Sequence, residues 1–319
     1  MRTQAEIGVA GVLDRAARLG FRGRDLDELG PAAEEVFGTS TATAEVADRA
    51  AWLRAGIGDY TVSGPDPWQG MGGGPDDGLV PMLALIVAAD DVVAHLRKRG
   101  VSEAEAWLNL SDLGQQVWVH RLTYARFGLH THGWLRIAWS GGFAWLGRLQ
   151  FNLQPLGPTG ARTWVLSTHI PRRGSDHDGP RSGALTGESV DDSFARAVRY
   201  FAEHYPELPT HDFWCHSWLL DPALASALPG SNIAAFQRRW VLEDHAGDGD
   251  DDAVFFTFAR RRPVPLDELP RRTRLERAVL ERLERGDHWA LRTGRIPQSA
   301  YARAGSATAA DGLRRPGQP

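Results

Sequence analysis

The 319-residue sequence has a single cysteine, Cys215, so no internal disulfide framework can form, and the composition suits a reducing cytoplasm. Lysine is almost missing too. Lys98 is the only one, and every other basic side chain is arginine, which reads as a coding bias and not as function. There is no large charge excess, since the formal net charge is −4. A nucleic-acid binder usually carries a basic excess that attracts phosphate backbones, so no nucleic-acid partner is expected. No window reaches the ~18 uncharged apolar residues that a bilayer span needs, so no membrane partner is expected. The first twenty positions carry charges inside their apolar stretch and lack the continuous apolar core of a signal peptide. What is present is ordinary globular composition, 42% hydrophobic and 24% charged, which argues against a disordered or fibrous chain. The length points to two domains, and no internal repeat is visible.

Residues 1 to about 125 read as mostly helical. AEIGVAGVLDRAARLG and TATAEVADRAAWLRAG carry helical apolar spacing. LVPMLALIVAADDVVAHLRKRG is almost wholly apolar, turns basic in its last turn and stops at Gly100. SEAEAWLNLSDLGQQVWVHRLTYARFG opens on a Ser102/Glu105 capping pattern and continues as one or two helices. Between them, GPDPWQGMGGGPDDG is a loop by its glycines and prolines.

After residue 130 the pattern changes. GWLRIAWSGGFAWLGRLQFNLQP predicts two aromatic-rich strands in a hairpin around Ser140-Gly141-Gly142. RTWVLSTHI predicts a third strand ending at Pro171. SVDDSFARAVRYFAEHYP predicts a helix capped by Ser189, with Phe194, Val198, Phe201 and Tyr205 on one stripe. HDFWCHSWLL reads as a strand, DPALASAL as a short helix, SNIAAFQRRWVLED as a helix entering a strand, and DAVFFTFARR as the returning strand. An amphipathic helix follows in LPRRTRLERAVLERLERG, and the tail from about 301 to 319 reads as disordered. The expected class is α+β: a helical N-terminal domain over 1–125, then a mixed, largely antiparallel sheet with flanking helices over 126–300.

Several side chains have chemistry worth naming. Alternation along FWCHSWLL puts Cys215 and Ser217 on one face and His216 and Trp218 on the other, so Cys215 and His216 cannot pair as nucleophile and base within one strand. Cys215 against His169 of a neighbouring strand stays open, beside the plainer reading of a buried small hydrophobe. His130 and His132 would share a face on a strand and with a third ligand such as His169 or Glu203 could form a metal site, yet no downstream acid stands at a convincing spacing, and no metal is expected. The Asp244–Asp252 run lacks the offsets of a calcium loop. Gln69-x-x-Gly72-x-Gly74 is a lone glycine-rich string with no strand before it, read as a hinge or lid. Nine of the 12 tryptophans fall between Trp107 and Trp240, which suits core packing and also a bulky acceptor.

The element order of the second half is similar to the GNAT-type N-acetyltransferase fold. LGRLQF at 146–151, HIP at 169–171, CHSWLL at 215–220 and SNIAAF at 231–236 resemble a group of actinobacterial acyltransferase-domain proteins, which join a helical N-terminal domain to a GNAT-like C-terminal domain. The resemblance covers most of the chain. It implies acyl-CoA as cosubstrate, with no tightly bound cofactor, and a cradle for its pyrophosphate in the connector 169–189. Arg172, Arg173 and Arg181 would supply cations there, and Gly174 and Gly179 close backbone approach. The family's Arg/Gln-x-x-Gly-x-Gly/Ala string is absent from this connector, and Asp191 and Asp192 would repel phosphate. Asn232 and Ala235 match a second family landmark, but Arg239 stands where its tyrosine would fall. The resemblance also implies that His169 faces the cleft as the base, with Ser217 or Asn232 orienting the acceptor and Cys215, His216 or Ser217 standing in for the tyrosine.

The expected function is therefore a cytoplasmic GNAT-like acyltransferase. It would move an acyl group from acyl-CoA, or another acyl-pantetheine, to an amine or hydroxyl of a small acceptor by direct attack. A non-catalytic ligand sensor on a degenerate GNAT scaffold is the alternative.

Overall fold

The computed structural model describes residues 8–61, 78–158, 160–172 and 183–302. The chain divides into two compact units, Met1–Trp145 with Asn152–Pro155, and Leu146–Phe151 with Leu156–Pro319.

The first unit holds α1 (Val9–Ala16), α2 (Arg24–Phe37), α3 (Ser40–Ala55), α4 (Leu79–Lys98), α5 (Glu103–Leu110), α6 (Asp112–Tyr124) and α7 (His132–Trp139). Every residue of α4 from Pro81 to Ala89 is buried. A helix that is apolar all round must be covered all round, and α1, α2, α3, α5 and α7 pack against it. By length and composition α4 is able to cross a membrane, but 67% of its most apolar window is buried in the fold, as for the core helix of a bundle. The indole of Trp139 donates to the Leu85 carbonyl at 2.9 Å and fixes α7 on α4. The Ser102/Glu105 capping box starts α5 as the sequence predicts. At the start of α6 the Gly114 amide donates to the Leu19 carbonyl at 2.9 Å.

Within this unit His120 is fully buried, with its Nδ1 3.2 Å from Nδ1 of His130 and its ring against Tyr124. Burial, then the charges of Arg126 and Arg121, lower its pKa to about 4. The folded chain therefore refuses a proton that the unfolded chain accepts from about pH 6.5 downward, and stability is lost as pH falls from there toward 4. The shift corresponds to roughly 3 kcal/mol. Urea unfolding at pH 7 and pH 4.5 should differ by that order, and the difference should shrink in His120→Gln; an undiminished difference would remove His120 as its source.

The second unit holds α8 (Gly187–His204), α9 (Pro222–Ala227), α10 (Asn232–Gln237), α11 (Asp250–Phe258) and α12 (Arg274–Glu284). Its strands are β3 (Thr163–His169), β4 (Thr210–Ser217), β5 (Val241–Asp248) and β6 (Ala290–Pro297), while β1 (Phe143–Leu146) and β2 (Leu149–Leu156) are divided between the two units. They form one sheet in the order β1-β2-β3-β4-β6-β5. β3 and β4 run parallel, joined by α8, whereas β4/β6 and β5/β6 are antiparallel. The sheet is thus mixed and mostly antiparallel, and the α+β expectation stands. Phe194 of α8 packs 4.5 Å from Phe213 and 5.8 Å from Phe151, ring centre to ring centre, and so seals α8 onto one sheet face.

Three local expectations need correction. Residues 132–139 form α7 and not the first strand of a hairpin. His132, Leu135, Ala138 and Trp139 are its buried face, a helical spacing that aromatic strand preference had masked. The hairpin is β1–β2, turning at Gly147, whose φ is +68°. Residues 250–258 form α11 and not a returning strand. Asp250, Asp251 and Asp252 in its first turn suit the positive helix end, and this outweighs the strand preference of Val-Phe-Phe-Thr-Phe. The returning partner of β5 is β6, beyond α12, which the sequence reading did not mark. The cap of α8 is Thr186, which accepts from the Ser189 amide, so the helix begins before the expected Ser189.

Candidate active site

The parallel ladder between β3 and β4 stops early. Its last pair is Ser167↔Trp214, although β3 runs on to His169 and β4 to Ser217. On its other edge β4 stays paired with β6 as far as Ser217↔Arg292. β3 and β4 therefore part at their carboxyl ends, and backbone groups of Thr168, His169, Cys215 and His216 leave the shared ladder there. Connection by α8 makes this the end at which parallel strands expose their ligand-binding crevices.

Alternation sorts the side chains at the opening. Phe213 and Cys215 lie on the α8 face and are fully buried. Trp214 and His216 lie on the opposite face with rings stacked 5.8 Å apart at 13°. In-register continuation of β3 puts His169 on that second face as well, and Thr168 on the first. The Thr168 hydroxyl is buried with no hydrogen-bond partner among the described residues.

His169 keeps a little surface, but protein surrounds its ring so closely that burial lowers its pKa to about 3. At neutral pH it is an uncharged imidazole. His216 is exposed, and its Nδ1 meets the Thr293 hydroxyl at 2.9 Å from the facing position of β6. Asp252 of α11 lies within electrostatic reach of His216. Burial raises the Asp252 pKa, opposed by the charges of Arg261 and His216. The other end of α11 is tied down by Arg172, just beyond β3. Its Nη1 donates to the Phe256 carbonyl at 2.7 Å and its Nη2 to the Thr257 carbonyl at 3.2 Å. A cation on the last carbonyls of a helix is the favourable arrangement. α11 thus reaches from the end of β4 to the chain leaving β3, across the opening.

Burial pushes the Cys215 thiol far above its ordinary pKa. A protonated thiol is neither nucleophile nor metal ligand, so Cys215 packs as a small hydrophobe. Iodoacetamide should leave the native protein unmodified and label it once it is unfolded, and Cys215→Ala should retain activity. Native labelling at the unfolded rate would contradict this.

At the start of α8 the two aspartates expected to repel phosphate are paired. Asp191 receives Arg239 Nε and Nη2, both at 3.1 Å, and Asp192 receives Arg196 at 2.8 Å. Arg239 also donates to the Gly187 carbonyl at 3.3 Å. The side chain standing in the tyrosine's place is therefore engaged in anchoring α10 to α8.

Comparison with known proteins adds the family. Residues 12–141 match the N-acyltransferase N-terminal domain, and residues 143–296 match the GNAT-like C-terminal domain. A solved acyltransferase in complex with decanoyl-CoA is 32% identical, with a TM-score of 0.75 over 90% of this chain and 87% of that one. The chain belongs to this acyltransferase family. A second solved acyltransferase, in complex with decanoyl-CoA and teicoplanin, is 30% identical at a TM-score of 0.76 over 89% of this chain and 87% of its own. A third, a tryptophan-to-alanine mutant in complex with octanoyl-CoA, is 29% identical at a TM-score of 0.77 over 90% and 88%. The comparison with curated proteins finds no match.

In this acyltransferase the residues expected to act together are only partly gathered. His169 stands at the opening. Ser217 accepts the Leu219 amide at 3.2 Å and starts a short 3-10 turn, which occupies its oxygen. Asn232 is exposed in the first turn of α10, which packs on α8, the face opposite His169. Of the expected cofactor residues, Arg172 is bound to α11, while Arg173, Gly174, Gly179 and Arg181 lie outside the described residues, as does the Gln69–Gly74 string. The sequence reading missed Thr293 because β6 was not recognised, and Asp252 because its aspartate run was read as a turn. Three acids opening an apolar run of helical spacing was the available signal. Among the described residues no three His, Cys, Asp or Glu side chains are placed to hold a metal ion.

Proposed function

We propose that this chain transfers an acyl group from acyl-CoA to an amine of a small-molecule acceptor, by direct attack at the opening between β3 and β4. The observation that carries the reading is the early end of the β3–β4 ladder beside an uncharged His169. The acyl donors held by the matched acyltransferases, octanoyl-CoA and decanoyl-CoA, support a donor of that class. The matched N-acyltransferase domain favours nitrogen over oxygen as the attacking atom.

In this reading the thioester lies along the unpaired strand edges, whose N–H groups polarise its carbonyl. The neutral amine attacks the carbonyl carbon, a C–N bond forms, and the oxygen takes the negative charge. His169 accepts the proton of the newly cationic nitrogen. The nitrogen grows more acidic as the C–S bond weakens, toward a strongly acidic protonated amide, so a weakly basic imidazole takes its proton in that step. The C–S bond then breaks, amide and CoA thiolate leave, and the thiolate regains a proton from His169 directly or through water. His216, steadied by Thr293, is the side chain best placed to orient the acceptor, in place of Ser217 or Asn232.

The test is calorimetric titration of the protein with acetyl-, octanoyl- and decanoyl-CoA, followed by thiol release in the presence of simple aliphatic amines and of teicoplanin, which one matched acyltransferase holds. Saturable binding with acceptor-dependent thiol release is expected. Binding with no turnover on any acceptor would favour the sensor reading, and no binding at millimolar acyl-CoA would remove both.

A further inference from the structure

Between α9 and α12 lies a cavity of about 900 Å³ that acyl transfer, as described above, does not use. On one side its wall is small, with Ala223 and Ala227 of α9. On the other side it is cationic, with Arg274, Arg277, Arg282 and Arg285. Arg274, Arg277 and the C-cap Arg285 fall on one stripe of the α12 helix, with Glu281 between them, so these three cations line the hollow by helical spacing.

An arginine-rich helix is ordinarily a solvated surface, and two features set this one apart. First, Arg277 and Arg282 are held by neutral partners, whereas Arg285 pairs with Asp287 at 3.4 Å. Arg277 Nη1 donates to the Arg271 and Arg272 carbonyls at 2.9 and 3.2 Å. Arg282 Nε donates to the His288 carbonyl at 2.8 Å, and its guanidinium lies 5.1 Å over the Trp289 ring. Carbonyls and an indole fix the geometry of these two side chains but leave their charge uncompensated. Second, two acids of α12 are engaged away from the hollow. Glu284 pairs with Arg271, and Glu276 closes the capping box with Thr273. Glu281 is the one acid in the lining, and Arg274 has no hydrogen-bond or ion-pair partner among the described residues. Like charges gathered around one hollow repel each other until an anion enters. Guanidinium forks select phosphate or carboxylate oxygens. The volume lies in the range of ligand pockets, about 300–1,000 Å³, and far exceeds one inorganic phosphate.

We propose that this groove is a binding site for a phosphorylated polyanion of nucleotide size. The ligand has two chemical sources. α9 follows closely on the end of β4, and β6 begins just past Trp289, so the groove sits at the sheet end where β3 and β4 part. The nucleotide end of the acyl donor is one source, and that arm rests on the proposed function. A free phosphorylated metabolite is the other.

Adenosine 3′,5′-bisphosphate and inorganic tripolyphosphate are the probes, titrated into the full chain at low and at 150 mM salt, with and without saturating octanoyl-CoA. Saturable binding is expected, weakened by salt. In Arg274→Ala/Arg277→Ala it should fall by about tenfold or more, since one hydrogen bond to a charged group already accounts for that factor. Arg274→Lys/Arg277→Lys, which keeps the charges, should lose less, and circular dichroism confirms that both variants fold. Arginine-dependent binding that octanoyl-CoA displaces assigns the groove to the donor's nucleotide end. Arginine-dependent binding that persists assigns it to a free ligand. Wild-type affinity for both probes in the alanine variant overturns the site, whatever acyl-CoA itself does, because octanoyl-CoA binding is measured separately on each variant.

Discussion

His169→Ala should lower kcat for acyl transfer by about 10²–10⁴-fold, the usual contribution of a positioned proton acceptor, while KM for acyl-CoA changes little. The imidazole ends β3 where the ladder with β4 has already stopped, so it borders the opening. His169→Gln should lose as much, because it keeps bulk and polarity but takes no proton at neutral pH. The pH profile adds a second readout. Burial holds the His169 pKa near 3, so the residue stays uncharged from pH 5 upward and contributes no acid limb there. The fall in kcat/KM on acidification must then follow protonation of the acceptor amine. It should move with the pKa of the amine used, and it should survive in the His169 variants. A variant that keeps more than about a tenth of the activity would remove the base role.

Gly114→Ala should destabilise the protein by roughly 4 kcal/mol or more, at the upper end of single-residue effects. Helix propensity alone predicts the opposite sign, since alanine gains about 1 kcal/mol over glycine in a helix. The reason is backbone contact. A Cβ on Gly114 would stand 2.1 Å from the Gly20 carbonyl carbon and 2.2 Å from its oxygen. Neither is the end of a flexible side chain, so the turn after α1 would have to move as a unit. Movement would also break the bond from the Gly114 amide to the Leu19 carbonyl. Gly20 itself sits at φ +83°, so the turn has little freedom to re-form around another side chain. Chemical denaturation at matched pH measures the effect. A stability equal to or above wild type would show that the turn moves freely.

Much of the local structure was legible because its signals lie within a few residues of one another. The apolar run of α4, the Ser102/Glu105 box of α5, the stripe of α8 and the third and fourth strands all come from spacing and capping. The same is true of the family strings that led to the acyltransferase reading. Two short aromatic stretches were misread for one reason. In α7 and α11 strand preference and helical periodicity compete over eight or nine residues; a buried face at helical spacing decided for the helix in α7, and three aspartates at the helix start did so in α11.

The site was legible only in part. His169 was identified by its place at a strand end, and Arg172 was assigned to phosphate although its guanidinium is bound to carbonyls of α11. Thr293 and Asp252 reach His216 from elements distant in sequence, and no local pattern announces such neighbours. The chain by itself determined the element types, the α+β class and the likeness to a known family, because periodicity, caps and short strings are local properties. Only the tertiary structure decided that β3 and β4 part after Ser167, that α11 crosses the opening and that four arginines face one hollow. Strand pairing and charge convergence depend on which distant residues the packed core brings side by side.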